Sequence, residues 1–171
     1  MSTSWILISA FDPFRTEQRS FKMKSRTKAR SIALQVLYEV DLCGHQPGEV
    51  LAERFEELQE NDSLKVFISQ IVSGVVEYQQ ALDEFIADFA PDWPLDQVAV
   101  IDRNLLRIAL WEIAIYQKTP VKVAINEAVE LAKVFGSDGS PRFINGVLGG
   151  IIENLNEIKL SLEIVRDEDT E

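Results

Sequence analysis

The stretch "VAVIDRNLLRIALWEIAIYQ", from Val98 to Gln117, is apolar around most of the circumference that it would have as a helix. A surface helix carries one apolar stripe, whereas a helix that is apolar all round packs against neighbours on several sides. Apolar residues also recur at helical spacing both before and after this stretch. The stretch therefore predicts the central helix of an all-α fold.

Downstream of the central helix, two pairs of a hydroxyl residue and a proline mark helix starts. Thr119 and Pro120 are typical of an N-cap and a first helical residue, and the helix that they open is predicted to end at Gly136. Ser140 and Pro141 repeat the pattern before a last predicted helix, which runs to about residue 155.

Upstream, the apolar spacing predicts three further helical stretches. The first runs from Ala29 to the turn at Gly44, the second is short and covers 50–60, and the third is a long run over 62–89 with a kink near Gly74. The 171 residues include only 8 Gly and 6 Pro, which are too few turn residues for an all-β fold. We expect a compact all-α bundle of about six or seven helices.

The length of the chain suits one domain with its own hydrophobic core. We predict a helical domain over 24–157, preceded by a flexible extension over 1–23 and followed by an acidic tail over 158–171. The apolar run near the N-terminus has no basic residue before it and is cut short by Asp12 and Pro13, so it resembles neither a signal peptide nor a membrane span. These features predict a cytoplasmic protein that does not bind a membrane.

The sequence contains little of what an enzyme needs. Cys43 is the single cysteine, which excludes an internal disulfide, and its spacing of two from His45 at a helix end is poor for a metal pair on one helical face. The glycines of "GVLGG" (146–150) lie inside a helical pattern with no strand before them, unlike a phosphate-binding loop. We expect no catalytic residue, no metal and no cofactor.

Several carboxylates on apolar helices could instead be read as acid or base catalysts. Asp102, Glu112 and Glu127 are the notable ones, and Arg103 and Arg107 lie near the first two in sequence. Charged groups on buried helix faces need partners. We therefore expect ion pairs between helices, with these arginines as the partners, in preference to acid/base chemistry.

The segment "FKMKSRTKARS", Phe21 to Ser31, carries a basic residue at every second position from Lys22 to Arg30. The whole chain has a net charge of -11, yet residues 1–31 hold seven Lys or Arg against two acidic residues. An acidic protein that gathers cations in one segment is suited to a local contact with a polyanion.

In an extended arm, all five basic side chains would lie on one side, at a spacing that suits successive phosphates of one strand. We predict such an arm up to about Thr27, followed by the first helix, and RNA as its ligand. On charge alone, a solvated basic tail without a partner is an equal interpretation.

The start of the last predicted helix is a second candidate site. Arg142 and Phe143 fall in its first turn, where free backbone N–H groups and the helix dipole favour anions. There, Arg142 could hold a phosphate and Phe143 could stack on a base, although Phe143 could equally be a core residue. Gly146, Gly149 and Gly150 predict close approach of another backbone.

The segment "TPVKVAINEAVELAKVFGSDGSPRFINGVLGG" (119–150) resembles the NusB family of bacterial transcription antitermination factors. Together with "LLRIALWEI" and "ARSIALQVLYEVDL", the resemblance covers roughly residues 24–155. It implies an all-α fold and a protein that binds the boxA element of ribosomal RNA transcripts together with the small-subunit ribosomal protein NusE. With other Nus factors, the pair would help RNA polymerase to read through terminators.

The resemblance also implies which residues bind RNA. The basic segment of the family is matched by four residues of the predicted arm, and its first-helix tyrosine and the aromatic residue before "NG" are matched too. The implied RNA-binding residues are Lys24, Arg26, Lys28, Arg30, Tyr38, Arg142 and Phe143.

Some features depart from the family pattern and keep alternatives open. The leader before Lys22 is long, and Met23 could be an alternative start; Thr27 and lysines stand where arginines often follow one another, and Gly149 replaces a frequent acid. One alternative is a module that binds only the ribosomal protein. Another is the NusB-like regulatory domain of ribosomal RNA cytosine methyltransferases, which would need a long C-terminal cofactor-binding domain. A homodimer is compatible with the resemblance.

Overall fold

A computed structural model describes residues 24–58 and 62–168, with side chains to residue 162, and in this part of the chain it contains helices and no strand. The predicted extension over 1–23 lies outside the described residues. The eight α-helices are α1 Ser25–Cys43, α2 Pro47–Glu57, α3 Asp62–Glu77, α4 Gln79–Phe89, α5 Val100–Trp111, α6 Val121–Phe135, α7 Ser140–Glu153 and α8 Leu155–Glu168. A π-helical turn, Glu112–Tyr116, continues α5. The predicted all-α fold is confirmed.

Helix α5 lies at the centre of the bundle, as its composition predicts. It packs against α1, α3, α4, α6 and α7. Even its polar residues Asp102, Asn104 and Arg107 are buried, and the side chains of Leu105, Leu106 and Leu110 are at most 1% exposed. Truncation of one such leucine to alanine costs about 2–5 kcal/mol, so the core depends on this helix.

Helix α3 shows why a glycine lies in the middle of a helix. A Cβ atom on Gly74 would overlap the indole of Trp111 at the end of α5, so the absence of a side chain lets the two helices approach. The predicted kink near Gly74 is wrong: α3 passes through this residue, and the chain breaks at Tyr78 instead. The close approach, and not a bend, accounts for the glycine.

Three boundaries differ from the predictions. Helix α1 begins at Ser25 and not at Ala29. Residues 25–28 are helical although none of them is buried, so the apolar spacing did not reveal them. Helix α6 begins at Val121 with Pro120 as its N-cap, one residue later than predicted, and no side chain caps it. Helix α7 begins at Ser140, with proline in its first turn.

The C-terminal helix α8 was not predicted as an element. It runs to Glu168, and its residues Ile158 and Leu162 are buried in the hydrophobic core. The predicted acidic tail over 158–171 therefore contributes a helix, and the packed domain extends past residue 157.

Arg107 of α5 ties the central helix to two others. It donates hydrogen bonds to Asp83 of α4 through Nε and Nη2, at 2.6 and 2.7 Å, and to Asp41 of α1 through Nη1, at 2.9 Å. Burial alone would lower the pKa of Arg107, but the hydrogen bonds and charges of Asp83 and Asp41 outweigh it and raise that pKa. Arg103 also donates to Asp41, at 3.2 Å.

The acidic residues predicted to pair with these arginines have other partners. Glu112 and Glu127 both bind Arg30 of α1, and Asp102 accepts a hydrogen bond from Ser140. Helical residues next to each other in sequence do not face each other, so Asp102 and Arg103 meet different neighbours. The prediction of buried ion pairs was right in kind and wrong in its partners.

Candidate nucleic-acid interface

The basic segment is helical where the structure describes it. Helix α1 begins directly after Lys24, and the backbone N–H of Lys28 donates to the carbonyl of Lys24 at 3.0 Å. The predicted extended arm up to Thr27 is therefore wrong for residues 25–27, while Lys22 lies outside the described residues. On a helix, Arg26 and Arg30 lie on one side, about 40° from each other, whereas Lys28 points to nearly the opposite side. The guanidinium groups of Arg26 and Arg30 both lie over the Phe67 ring, at 4.0 and 5.5 Å, yet their exposure and their partners differ.

Arg26 lies on the surface at the start of α1. Its side chain is exposed, and its Cζ lies 4.0 Å from the centroid of the Phe67 ring on α3. The ring itself is buried, so it supports the guanidinium from below and leaves the outer side open. A cation held in this way needs less ordering when it binds a phosphate. Lys24 is exposed and Lys28 is half-buried on the same turns.

Arg30, one turn further along α1, is buried. Its Nε and Nη2 donate to the two carboxylate oxygens of Glu112, at 2.9 and 3.0 Å, and its Nη1 donates to Glu127 at 3.2 Å. Only 4% of the residue is exposed, so a phosphate would have to displace two carboxylates to reach it. The structure thus contradicts the predicted phosphate contact of Arg30. Its charge is used to hold α1 against the π turn and α6.

A further cation reaches this region from the end of the π turn. The Tyr116 ring lies 5.7 Å from the Phe67 ring and stacks on Trp111 at 5.0 Å, and Nζ of the exposed Lys118 lies 5.4 Å from the Tyr116 ring centroid. The same pair of rings, Phe67 and Tyr116, thus carries Arg26 on one member and Lys118 on the other. Lys118 is not among the residues predicted to bind RNA.

Backbone geometry places Lys118. The N–H of Gln117 donates to the carbonyl of Glu112 at 3.0 Å, five residues back, and Gln117 adopts a left-handed conformation with φ of 55°. A left-handed residue ends a helix and turns the chain away from its axis. Nothing in the local sequence marks a π turn, and Gln117 is not a glycine or an asparagine, so this device leaves no pattern to find.

Tyr38 occupies a different face of α1. It is half-buried and packs at the edge of the core. It lies twelve residues beyond Arg26, which corresponds to about 18 Å along a helix. The structure therefore separates this predicted RNA-binding residue from the cations at the start of α1.

The start of α7 presents an aromatic pair. Arg142 is exposed and Phe143 is half-buried, so the two predicted residues lie side by side at the surface. The Phe143 ring meets the ring of Trp93 edge to face, with centroids 6.3 Å apart, and Trp93 is 57% exposed. Trp93 belongs to the proline-containing link between α4 and α5, and no predicted site included it.

The first turn of α7 is anchored by a buried carboxylate. The hydroxyl of Ser140 donates to Oδ2 of Asp102 at 2.8 Å and accepts a hydrogen bond from the N–H of Ser137 at 2.9 Å. Burial raises the pKa of Asp102, and the hydrogen bond from Ser140 offsets part of that rise. The other carboxylate oxygen is buried and has no hydrogen-bond partner among the described residues. This contact fixes α7 relative to α5.

The glycines of α7 do not all serve close packing. A Cβ on Gly150 would meet the Phe89 ring at 3.1 Å, but Cβ atoms on Gly146 and Gly149 would meet nothing within 4 Å. The predicted close approach of another backbone is therefore wrong for Gly146 and Gly149, and Gly150 approaches a side chain instead. Gly146 and Gly149 are exposed, so this face of α7 carries no side chain at either position.

The candidate residues form two groups at opposite ends of α5. The start of α1, with Arg26, lies near Glu112 at the end of α5. The last part of α1, with Asp41, lies near Arg103 at the beginning of α5. Since Asp102 anchors α7 at the beginning of α5, Arg142 and Phe143 belong to that second end. The groups are about 15 Å apart along the axis, and the part of α1 that carries Tyr38 runs between them.

Among the described residues, no three His, Cys, Asp or Glu side chains are grouped so that they could hold a metal ion. His45, which follows α1, binds Glu39 through Nδ1 at 2.9 Å. None of the helices in the described ranges has the length and apolar character needed to cross a membrane.

Comparison with known proteins gives consistent matches. The model of the NusB family matches residues 27–153. The transcription antitermination protein NusB of Dehalococcoides mccartyi is 48% identical over 131 residues, which cover 77% of this chain and 92% of that protein. NusB of Bacillus pumilus is 41% identical over 135 residues, which cover 79% of this chain and 99% of that protein.

Solved structures agree with the sequence matches. NusB of T. maritima superposes with a TM-score of 0.71 at 28% identity, covering 75% of this chain and 90% of that chain. A crystal structure of the antitermination factors NusB and NusE in complex with dsRNA superposes with a TM-score of 0.70 at 26% identity, covering 77% of this chain and 98% of that chain.

Proposed function

The chain belongs to the NusB family, and on that premise we propose that it is an RNA-binding transcription antitermination factor that performs no catalysis. It binds the boxA element of ribosomal RNA transcripts together with the ribosomal protein NusE. The complex joins RNA polymerase and other Nus factors and promotes read-through of terminators in the cytoplasm. The solved complex of NusB and NusE with dsRNA supports this assignment of partners.

The observation that carries the proposal is the exposed cation site at the start of α1. The chain has a net charge of -11, yet Lys24 and Arg26 are both exposed, and Phe67 supports the Arg26 guanidinium at 4.0 Å. Phosphate contacts supply most of the affinity of an RNA-binding protein and need such accessible cations. Lys28, half-buried on the other side of the same turns, is a further proposed contact.

The start of α7 supplies the second group of contacts. Arg142 binds a phosphate beside the helix N-terminus, and the half-buried Phe143 stacks on an unpaired base. Tyr38 lies on the helix that joins the two ends. Because the groups lie at opposite ends of α5, the ligand is an extended strand that spans several nucleotides. A single bound nucleotide would not reach both groups.

The remainder of the protein offers a complementary surface to NusE. Residues 32–171 carry ten Lys or Arg against twenty-six acidic residues, and a basic partner would be drawn to that excess. One protein would thus hold a polyanion at its basic end and a basic protein on its acidic body.

A second candidate function has one observation in its favour. The burial of Arg30 removes a cation from the predicted RNA-binding segment and leaves a weaker site than the sequence indicates. A protein that binds NusE and has lost RNA binding is compatible with this loss.

Fluorescence anisotropy distinguishes the two functions. A labelled boxA RNA and a scrambled RNA of equal length are titrated with the protein, with and without NusE, at two salt concentrations. We expect the protein to bind boxA more tightly than the scrambled RNA, and NusE to strengthen this binding. The logarithm of the binding constant should fall with the logarithm of the salt concentration, with a slope of about 0.7 per neutralised phosphate. Weak and equal binding of both RNAs, with NusE still captured, would instead support the second candidate.

A further inference from the structure

We propose that Lys118 is an RNA phosphate contact and forms one two-cation site with Arg26. This inference rests on the proposed function and adds to it a residue that lies 92 positions from Arg26 in the sequence. Its basis is the arrangement of the rings and ion pairs that place both cations.

The first support is the shared aromatic base. Arg26 lies over Phe67 at 4.0 Å, Lys118 lies over Tyr116 at 5.4 Å, and the two rings are 5.7 Å apart. Both cations are exposed, and Trp111 stacks behind Tyr116 at 5.0 Å with an interplanar angle of 22°. Both cations are therefore supported from within the protein and reach solvent outward, as phosphate recognition requires.

The second support is the buried ion pair beneath the rings. The carboxylate of Glu112 binds Arg30, one turn after Arg26, while the backbone carbonyl of Glu112 accepts the N–H of Gln117, the residue before Lys118. One residue thus links the helix that carries Arg26 to the turn that carries Lys118. Arg30 is a positioning residue in this arrangement, because it acts on the site through Glu112 and touches no ligand.

A third support is that no structural ion pair in the described part of the chain occupies Lys118. Its charge is not engaged in an ion pair with any carboxylate among the described residues, whereas Lys133 binds Glu130 at 2.6 Å. The ligand chemistry that suits two exposed cations on neighbouring rings is a pair of phosphates of a single strand.

The test compares Lys118→Ala with Lys65→Ala in the anisotropy assay at several salt concentrations. Lys65 is a matched control, since its Nζ also lies over an aromatic ring, that of Phe55 at 5.8 Å, but on a side of α3 turned away from Phe67. We expect Lys118→Ala to weaken boxA binding several-fold and to reduce the salt slope by about 0.7, the value for one phosphate on a single strand. Lys118→Arg should restore the slope, and Lys65→Ala should leave it unchanged.

The outcomes separate this inference from the proposed function. If the unaltered protein binds no RNA, the proposed function fails. If it binds boxA and Arg26→Ala weakens that binding, while Lys118→Ala behaves like Lys65→Ala, only the two-cation site is overturned. A loss of NusE capture in Lys118→Ala with unchanged RNA affinity would place Lys118 at the protein interface, and it would also overturn the inference.

Discussion

Arg26 and Arg30 are the same residue type, one helical turn apart on α1, and they have opposite environments. Both guanidinium groups lie over the Phe67 ring, but Arg26 is exposed, whereas Arg30 is 4% exposed and binds two glutamates. The partners of Arg30 come from positions 82 and 97 residues away in the sequence. The difference shows that a run of basic residues is not one functional unit, because the fold divides it between surface and core.

The first prediction concerns Arg30, the buried arginine of the pair. Arg30→Ala leaves Glu112 buried without its cation, and removal of one partner from a buried ion pair costs about 3–5 kcal/mol. We expect a fall of that size in the free energy of unfolding, measured by urea denaturation. Arg26→Ala is the matched control from the same helix. Equal, small losses in the two variants would mean that Arg30 is not held as described.

The second prediction extends the comparison to carboxylates. Glu112 is buried with a cation, whereas Asp102 is buried with only a hydroxyl donor, and its pKa is raised. A group whose folded-state pKa is raised contributes stability at low pH and loses that contribution as pH rises through the folded-state pKa. Wild-type protein should therefore lose this contribution above the ordinary range of an aspartate, and Asp102→Asn, which cannot ionise, should not.

The measurement is the free energy of unfolding from pH 3 to pH 7. The stability of Asp102→Asn relative to wild type should rise with pH, by about 1.4 kcal/mol for each unit by which the Asp102 pKa is raised. Glu112→Gln makes the same chemical change beside Arg30 and should destabilise the protein at neutral pH. A relative stability of Asp102→Asn that falls with pH would show that the carboxylate is favoured in the fold.

The third prediction concerns the exposed member. Arg26→Ala should change the free energy of unfolding by at most about 1 kcal/mol, the range of an exposed cation–π contact. Its effect should appear in RNA binding, as a salt slope reduced by about 0.7 in the anisotropy assay. Arg26→Lys should retain the slope. An unchanged slope in Arg26→Ala would remove this residue from the RNA site.

The fold could be predicted where the information is local. The apolar circumference of residues 98–117 indicates a helix surrounded on all sides, and α5 is that helix. Helix α8 escaped prediction because apolar and polar residues alternate over 158–162, and Leu160, between the buried Ile158 and Leu162, is 62% exposed. Helix α8 packs against the π turn that follows α5.

The candidate site could be predicted only in part, for a related reason. Lys24, Arg26, Arg142 and Phe143 were predicted from charge and helix position, and all four reach the surface at least partly. Which cation is buried depends on acidic partners from other helices, as Arg30 shows. Lys118 and Trp93 join the candidate surfaces through contacts between distant segments, which no local pattern records.

Because of the π turn at the end of α5, the direction in which residue 118 points matters to the site as well as the type of residue found there. A π turn inserts one residue into a helix, and one residue of an α-helix corresponds to a rotation of about 100°. A relative with an ordinary α-helical turn here would direct the residue after it to another side of the bundle. Two lysines that align in sequence at position 118 could therefore face different surroundings, so relatives should be compared by the direction of this residue as well as by its identity.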